Sequence, residues 1–544
     1  MTRNVARILI SLRRLRRRAA KFETLRLWLF AVITGAAVAY AVIGFRAAID
    51  GGARLAFGQA AEMTASAAAS LDFGRAWAAP VIGGLVVSVI LMLADRFGWL
   101  KDGRGQGVAE VIEARAVGDG RISLRAGLAA ATVSAVSLGA GASAGREGPA
   151  VHLGGAIASI LDRHFGFSAK DRRTLLGCGA AAAVAASFNA PIAGVLFALE
   201  VVLGNYAISV FGPIAAASVT AAIVTRIHLG NFPAFAAPDY GAVGAIDAPL
   251  AALLGVVCGI VAIVFLLGTE QMTERVRDIA KRYGLPLFAL PPLGGVIVGL
   301  IGAYRPEIFG VGYEAVSNAL SGGYSIRILL TVLALKILAT AITLSCRFGG
   351  GVFSPGLVIG VFTGAAFGAF LAHALPDAAA SPSYYAMVGM GAVSGAIMGA
   401  PISTTLIVFE MTGDYGITIS LMAAVAIATL MTQTVCKRTF FHWQLSRRGY
   451  DLSEGPQGVI LQTIRVRDVM EKMPPGAPLK EDANRLDAGE SLGEALARLE
   501  ELDEAGLPVV DAGEPAMVTG YLSRVKALAA YNRALIDAHV EHHR

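Results

Sequence analysis

Apolar residues dominate four long stretches of the chain, Leu25 to Ile43, Ala78 to Leu93, Ala248 to Leu267 and Ile417 to Val435. At roughly 1.5 Å per helical residue, stretches of this kind predict separate crossings of a hydrocarbon layer about 30 Å thick. Further apolar segments are interrupted by glycine and proline, which suits helices that pack closely or break at membrane depth. The pattern therefore predicts an all-α polytopic membrane protein built from broken, tilted helices. It changes after Arg447 and Arg448, where polar residues take over. From about Gln457, Ile464 to Met470 leads into a helical spacing over Leu492 to Leu502. A buried-strand pattern over Gly506 to Val510 follows, then a turn into a helix over Gly520 to Leu528, together a small α/β module.

Composition agrees: 55% hydrophobic against 16% charged residues excludes an ordinary soluble globular chain. The net charge of +6 is unevenly spread, because Arg7, Arg13, Arg14, Arg16, Arg17, Arg18, Lys21 and Arg26 precede or touch the first apolar run. A basic flank of this kind orients a membrane protein, so residues 1–24 are expected to form a cytoplasmic arm. A nucleic-acid partner is not expected. Leu25 to Ile43 is long for the core of a cleavable signal. Cys178, Cys258, Cys346 and Cys436 stand singly, with neither a C-x-x-C pair nor a histidine-rich neighbour, so no disulfide framework or metal site is indicated.

Two features recur in the same order at nearly the same offset. Asn189 to Glu200 (N-A-P-I-A-G-V-L-F-A-L-E) matches Gly399 to Glu410 (G-A-P-I-S-T-T-L-I-V-F-E), with Pro191 and Pro401 210 residues apart. Upstream, Gly145 to Pro149 (G-R-E-G-P) and Gly351 to Pro355 (G-V-F-S-P) place Pro149 and Pro355 206 apart. Repeated halves with broken helices in corresponding positions point to a transport site at the repeat interface. A glycine-rich turn before a helix leaves backbone N–H groups unpaired at the positive end of the helix dipole. Gly103 to Glu110, Gly145 to Pro149 and Gly349 to Pro355 all have this character and read as anion-binding stretches. Amides replace the water around an anion without binding it too tightly to release. Glu147 is the odd member: a carboxylate in an anion-friendly stretch can fill the anion site when ionised and leave when protonated or displaced.

Together, G-R-E-G-P, A-S-F-N-A-P-I-A-G-V-L-F-A-L-E and G-V-F-S-P resemble the CLC family of chloride channels and chloride/proton antiporters. The resemblance implies an inverted-repeat membrane domain over 25–449, with halves at about 25–230 and 248–449. It also implies a homodimer with one pore per subunit, chloride as the transported ion and Glu147 as the gating glutamate. The amides of Arg146, Glu147 and Gly148 would line an outer anion site, and those of Val352 and Phe353 a central one. Residues 457–544 resemble a single CBS motif; because such motifs usually come in pairs, no bound nucleotide or other cofactor is expected. A bacterial-type inner or plasma membrane, with both termini cytoplasmic, is the expected location.

Three positions depart from the family pattern. Gln106 replaces the selectivity serine, Phe441 replaces the tyrosine of the central site and lacks its hydroxyl, and Val201 replaces the inner proton-transfer glutamate of the exchangers. Valine carries no proton, so a passive gated channel is expected, with a proton-coupled antiporter as the alternative. Glu200 and Glu410, the matched acids of the repeats, are expected to serve as helix-end partners. Gly141 to Gly145 (G-A-S-A-G) fits a nucleophile pattern at Ser143, but no catalytic histidine is identifiable, so helix packing is expected and no enzyme activity. His152 is assigned no role.

Overall fold

The computed structural model describes residues 2–100, 107–117, 120–231, 240, 244, 246–376, 380–413, 415–450, 461–462, 464–473, 484–511 and 514–543. In the membrane region the helices are α1 (Thr2–Phe57), α2 (Phe73–Arg96), α3 (Val108–Ala116), α4 (Leu124–Gly139), α5 (Glu147–Phe165), α6 (Ala169–Phe188), α7 (Pro191–Phe197) and α8 (Ile208–Leu229). A second series follows: α9 (Asp247–Arg282), α10 (Leu290–Tyr304), α11 (Tyr313–Leu320), α12 (Ile326–Ser345), α13 (Phe353–Ala374), α14 (Pro382–Met398), α15 (Pro401–Thr412) and α16 (Thr418–Cys436). Among the described residues eight helices are long and apolar enough to cross a membrane, and α1, α2, α9 and α16 contain the four runs read from the sequence. The shorter helices between them are the broken elements that the glycine and proline positions predicted.

The two series pack alike. α5 lies on α6 as α13 lies on α14, α1 packs on α8 as α9 packs on α16, and α2 meets α10 while α7 meets α15. Reciprocal contacts of this kind are what a two-fold axis between halves produces. Glycine sets the closeness of these crossings. A Cβ added at Gly154 of α5 would lie 2.3 Å from the Gly179 carbonyl oxygen of α6, and one at Gly179 would lie 2.3 Å from that of Gly154. In the second half, Gly360 and Gly389 repeat the arrangement at 2.3 and 2.4 Å. No side chain fits at either crossing, so backbone meets backbone, and packing at this distance drives helix association where lipid competes for apolar contacts.

Chain contacts divide the protein into two units, Met1–Phe440 and Phe441–Arg544. In the second, β1 (Glu471–Lys472), β2 (Leu486–Asp487), β3 (Gly506–Asp511) and β4 (Glu514–Ser523) form one sheet in the order β1-β4-β3-β2. β2 and β3 are parallel, so the link between them must cross over. The crossover is α17 (Leu492–Glu501), started by a capping box in which the Ser491 hydroxyl accepts from the Glu494 N–H and the Glu494 carboxylate accepts from the Ser491 N–H. Leu486, Leu492, Leu499, Leu507, Val509 and Leu522 form its core, with Ala527 from α18 (Arg524–His543). The helix and strand read at 492–502 and 506–510 coincide with α17 and β3.

Candidate functional site

The turns before α5 and α13 are joined directly. Gly145 N–H donates to the Gly351 carbonyl and Gly351 N–H to that of Gly145, both at 2.7 Å, an isolated antiparallel bridge between residues 206 positions apart. It sets the two helix N-termini against each other. Arg146 is the N-cap of α5 and Glu147 its first residue; Val352 is the N-cap of α13 and Phe353 its first residue. The first N–H groups of each helix lack an acceptor within their own helix. Gly148 packs on Gly351: a Cβ there would lie 3.4 Å from the Gly351 Cα and 3.8 Å from the Gly107 Cα, which belongs to the N-cap of α3. Described parts of all three glycine-rich stretches therefore meet at one place.

Glu147 is buried, and its carboxylate does not stay with its own helix. Ser354 Oγ, in the first turn of α13, donates to Glu147 Oε1. The carboxylate thus sits at the positive end of α13, where a free anion would be favoured for the same reason. Gly145 makes the room: a Cβ at that position would lie 2.6 Å from Glu147 Oε2 and 3.1 Å from the Ser354 nitrogen. Phe353 closes the site from another side, its ring 4.8 Å from that of Phe188 at the end of α6.

Arg146 turns elsewhere. Its guanidinium donates to the Tyr313 hydroxyl at 3.2 Å and the Ser187 carbonyl at 3.5 Å and lies over the Tyr313 ring, 4.8 Å from its centre. Tyr313 is placed by the loop ahead of α11, and that loop is pinned by a fully buried lysine. Lys336 Nζ donates to the carbonyls of Ile308 (2.9 Å) and Gly310 (3.1 Å), while Gly310 N–H donates to Gly141 at the start of the Glu147 turn. Sequence reasoning missed Ser354, Tyr313 and Lys336. Ser354 was visible within G-V-F-S-P, and an intramembrane lysine is itself a signal. Nothing in the sequence marked Tyr313.

The remaining expected residues separate. Val201 lies half-buried on a π-helical turn, Ala198–Leu203, that continues α7. Its neighbour Glu200 accepts from Ile402 N–H (3.1 Å) and Ser403 N–H (2.7 Å) at the start of α15, and Glu410 accepts from Ile192 N–H (3.1 Å) and Ala193 N–H (2.7 Å) at the start of α7. Gln106 lies outside the described residues. Phe441, buried and without a hydroxyl, belongs to the second unit and is described there by itself. Ser143 Oγ lies 3.0 Å from Thr340 Oγ1, a buried contact between the Glu147 turn and α12. His152 is buried on α5. Among the described residues no cluster of three or more metal-ligating side chains occurs, and the four cysteines are free thiols.

Comparison with known proteins gives one direction. A family model described as voltage gated chloride channel matches residues 83–433. Chloride channel protein CLC-e of Arabidopsis thaliana is 35% identical over 382 residues, which cover 66% of this chain and 52% of that protein, so the match spans about half the relative's length. The voltage-gated ClC-type chloride channel ClcB of Escherichia coli O81 (strain ED1a) is 30% identical over 420 residues, covering 76% of this chain and 97% of ClcB. Among solved structures, a slow cyanobacterial Cl−/H+ antiporter superimposes with a TM-score of 0.69 at 23% identity, covering 78% of this chain and 98% of its own. A eukaryotic CLC transporter gives 0.65 at 17%, covering 92% and 98%. At these identities the structural likeness is one of fold.

Proposed function

The chain belongs to the CLC family of chloride channels and antiporters, and we propose that it is a gated chloride channel in which the Glu147 side chain alternates with the anion it admits. It is an integral multi-pass membrane protein of an ion-transporting family. One observation carries the gating reading: the Glu147 carboxylate, hydrogen-bonded by Ser354, fills the N-terminal end of α13. That end, with the amides of Val352 and Phe353, takes the central chloride; the amides of Arg146, Glu147 and Gly148 take the outer one. Ionised, the carboxylate competes with chloride for the same amides. Protonated, it loses the charge that holds it there and yields the site. Flux should accordingly rise as pH falls.

Passive conduction is favoured by the inner end. Val201 has no titratable group, and Glu200 beside it is engaged by two amides of α15. A proton crossing a low-dielectric interior needs carriers within hydrogen-bond reach. The second reading, a proton-coupled antiporter with an atypical proton path, is supported by the antiporter that shares this fold. We further propose a homodimer in a bacterial-type inner or plasma membrane with both termini cytoplasmic, Gln106 and Phe441 as modifiers of anion choice, and a CBS-like tail that works without nucleotide. Purified protein in chloride-loaded liposomes separates the two readings. Chloride efflux without proton uptake is the expected result; proton uptake in fixed ratio to chloride, driven uphill, removes the channel reading and leaves the antiporter.

A further inference from the structure

Arg146 also borders a cavity lined by Val42, Phe45, Arg46, Arg146, Ser187 and Leu229, from α1, α6, α8 and the turn ahead of α5. Two guanidinium groups share it. Arg146 is only 9% exposed, and both hydrogen bonds it makes use Nη2. A guanidinium carries five N–H donors, so Nε and Nη1 have no partner among the described residues. Arg46 also lines the cavity and pairs with Glu62, from the turn after α1, at a more exposed position. Among the described residues no carboxylate lines the cavity, and the Glu147 carboxylate next to Arg146 is directed to Ser354. Two cations thus line a largely apolar space, and the acids nearest them, Glu147 and Glu62, lie outside its lining.

We propose that the cavity is a further binding site for a small monovalent inorganic anion, held between Arg146 and Arg46, with Glu62 as a tethered carboxylate that competes for Arg46. The site rests on the reading of this chain as an anion pathway and adds a stage ahead of it. Ser187, whose carbonyl meets Arg146, is followed by Phe188, the ring stacked on Phe353 at the head of α13. A lining residue of the cavity and the ring set against Phe353 are thus consecutive residues of α6. Fixed cations in a low-dielectric recess raise the local anion concentration and feed the path behind them.

The two members of the ion pair make the test discriminating, because an anion site requires opposite effects from them. Initial chloride flux of the full-length protein in liposomes is measured against chloride concentration. Arg46→Gln should raise the half-saturating concentration about threefold, and Glu62→Gln should lower it by a similar factor, the scale of one partly exposed charge. Maximal flux should stay unchanged in both. A pair that only braces the fold is broken by either substitution, so shifts of the same sign overturn the proposal, as do superimposed curves. Arg46→Lys, which keeps the charge but not the planar fork, should fall between wild type and Arg46→Gln and replaces it if the glutamine variant does not fold. If the wild type carries no chloride, the proposed function fails by itself, and bromide calorimetry on detergent-purified wild type and Glu62→Gln then decides the cavity. Tighter bromide binding in the variant sustains it, and unchanged or absent binding overturns it.

Discussion

Carboxylates reach across the repeat to the start of a helix in the other half in two ways, one through the half-buried Glu200 and Glu410, the other through the buried Glu147. Glu200 and Glu410 form a reciprocal pair: each accepts two backbone N–H groups from the first turn of the helix that leads to or carries the other, at the same distances of 3.1 and 2.7 Å. Glu147 is unreciprocated. Its counterpart 206 positions on is Phe353, and Ser354 stands where the first half has Gly148. The symmetric pair fastens the halves together; the broken symmetry leaves one carboxylate that is held in the proposed anion site by a hydroxyl of the opposite half and has no equivalent to balance it. The proposed gate needs a group that can leave, and the asymmetry supplies one.

This comparison can be broken most directly at Glu147. Glu147→Gln keeps the size and removes the charge, so chloride flux at neutral pH should rise about tenfold, the worth of one charge-assisted hydrogen bond, and its dependence on pH should vanish. Unaltered flux with an unaltered pH profile would remove Glu147 from the gate. The symmetric pair should respond in stability instead. Glu200→Gln and Glu410→Gln should each cost about 1–2 kcal/mol, the range for losing a helix N-cap, read as similar drops in the melting temperature of the purified protein. Unequal drops would show that the two caps are not equivalent.

A smaller effect is expected at Ser354. Ser354→Ala removes one hydrogen bond of about 1 kcal/mol from the seated carboxylate, so the rise in flux on acidification should begin roughly 0.7 of a pH unit higher. A shift to lower pH would mean that the hydroxyl serves the anion more than the gate. The smallest effect belongs to Val201, where Val201→Ala should leave both flux and the absence of proton uptake unchanged. A new proton current in that variant would point to a water path through the π-helical turn after α7 and favour the antiporter.

Much of the candidate site was legible in the chain because the groups proposed to hold the anion belong to the backbone. Glycine and proline are the residues that expose helix N-termini, so three glycine-rich stretches, two of them with recurring prolines, marked the proposed anion sites before any contact was known. The spacing of Pro149, Pro191, Pro355 and Pro401 likewise revealed the two halves. What could not be read were partners brought in from the opposite half. Glu200 and Glu410 were legible as helix-end acids, but not that each caps the other's repeat, because pairing over some 200 residues leaves no local trace.

The sequence by itself determined that the chain lies in a membrane, that it is doubled, and that Glu147 stands among unpaired amides, since hydropathy, repetition and the effect of glycine on backbone conformation are local properties. Only the tertiary structure decided where the Glu147 carboxylate goes. The two-bond bridge between Gly145 and Gly351 places α5 and α13 end to end, and that placement lets Ser354 hold the carboxylate while Arg146 turns to Tyr313. The same fold brought Arg46 and Arg146 to the lining of one cavity. A charged side chain takes its role from the field of its neighbours, and here those neighbours come from the other half of the repeat or from the far end of α1.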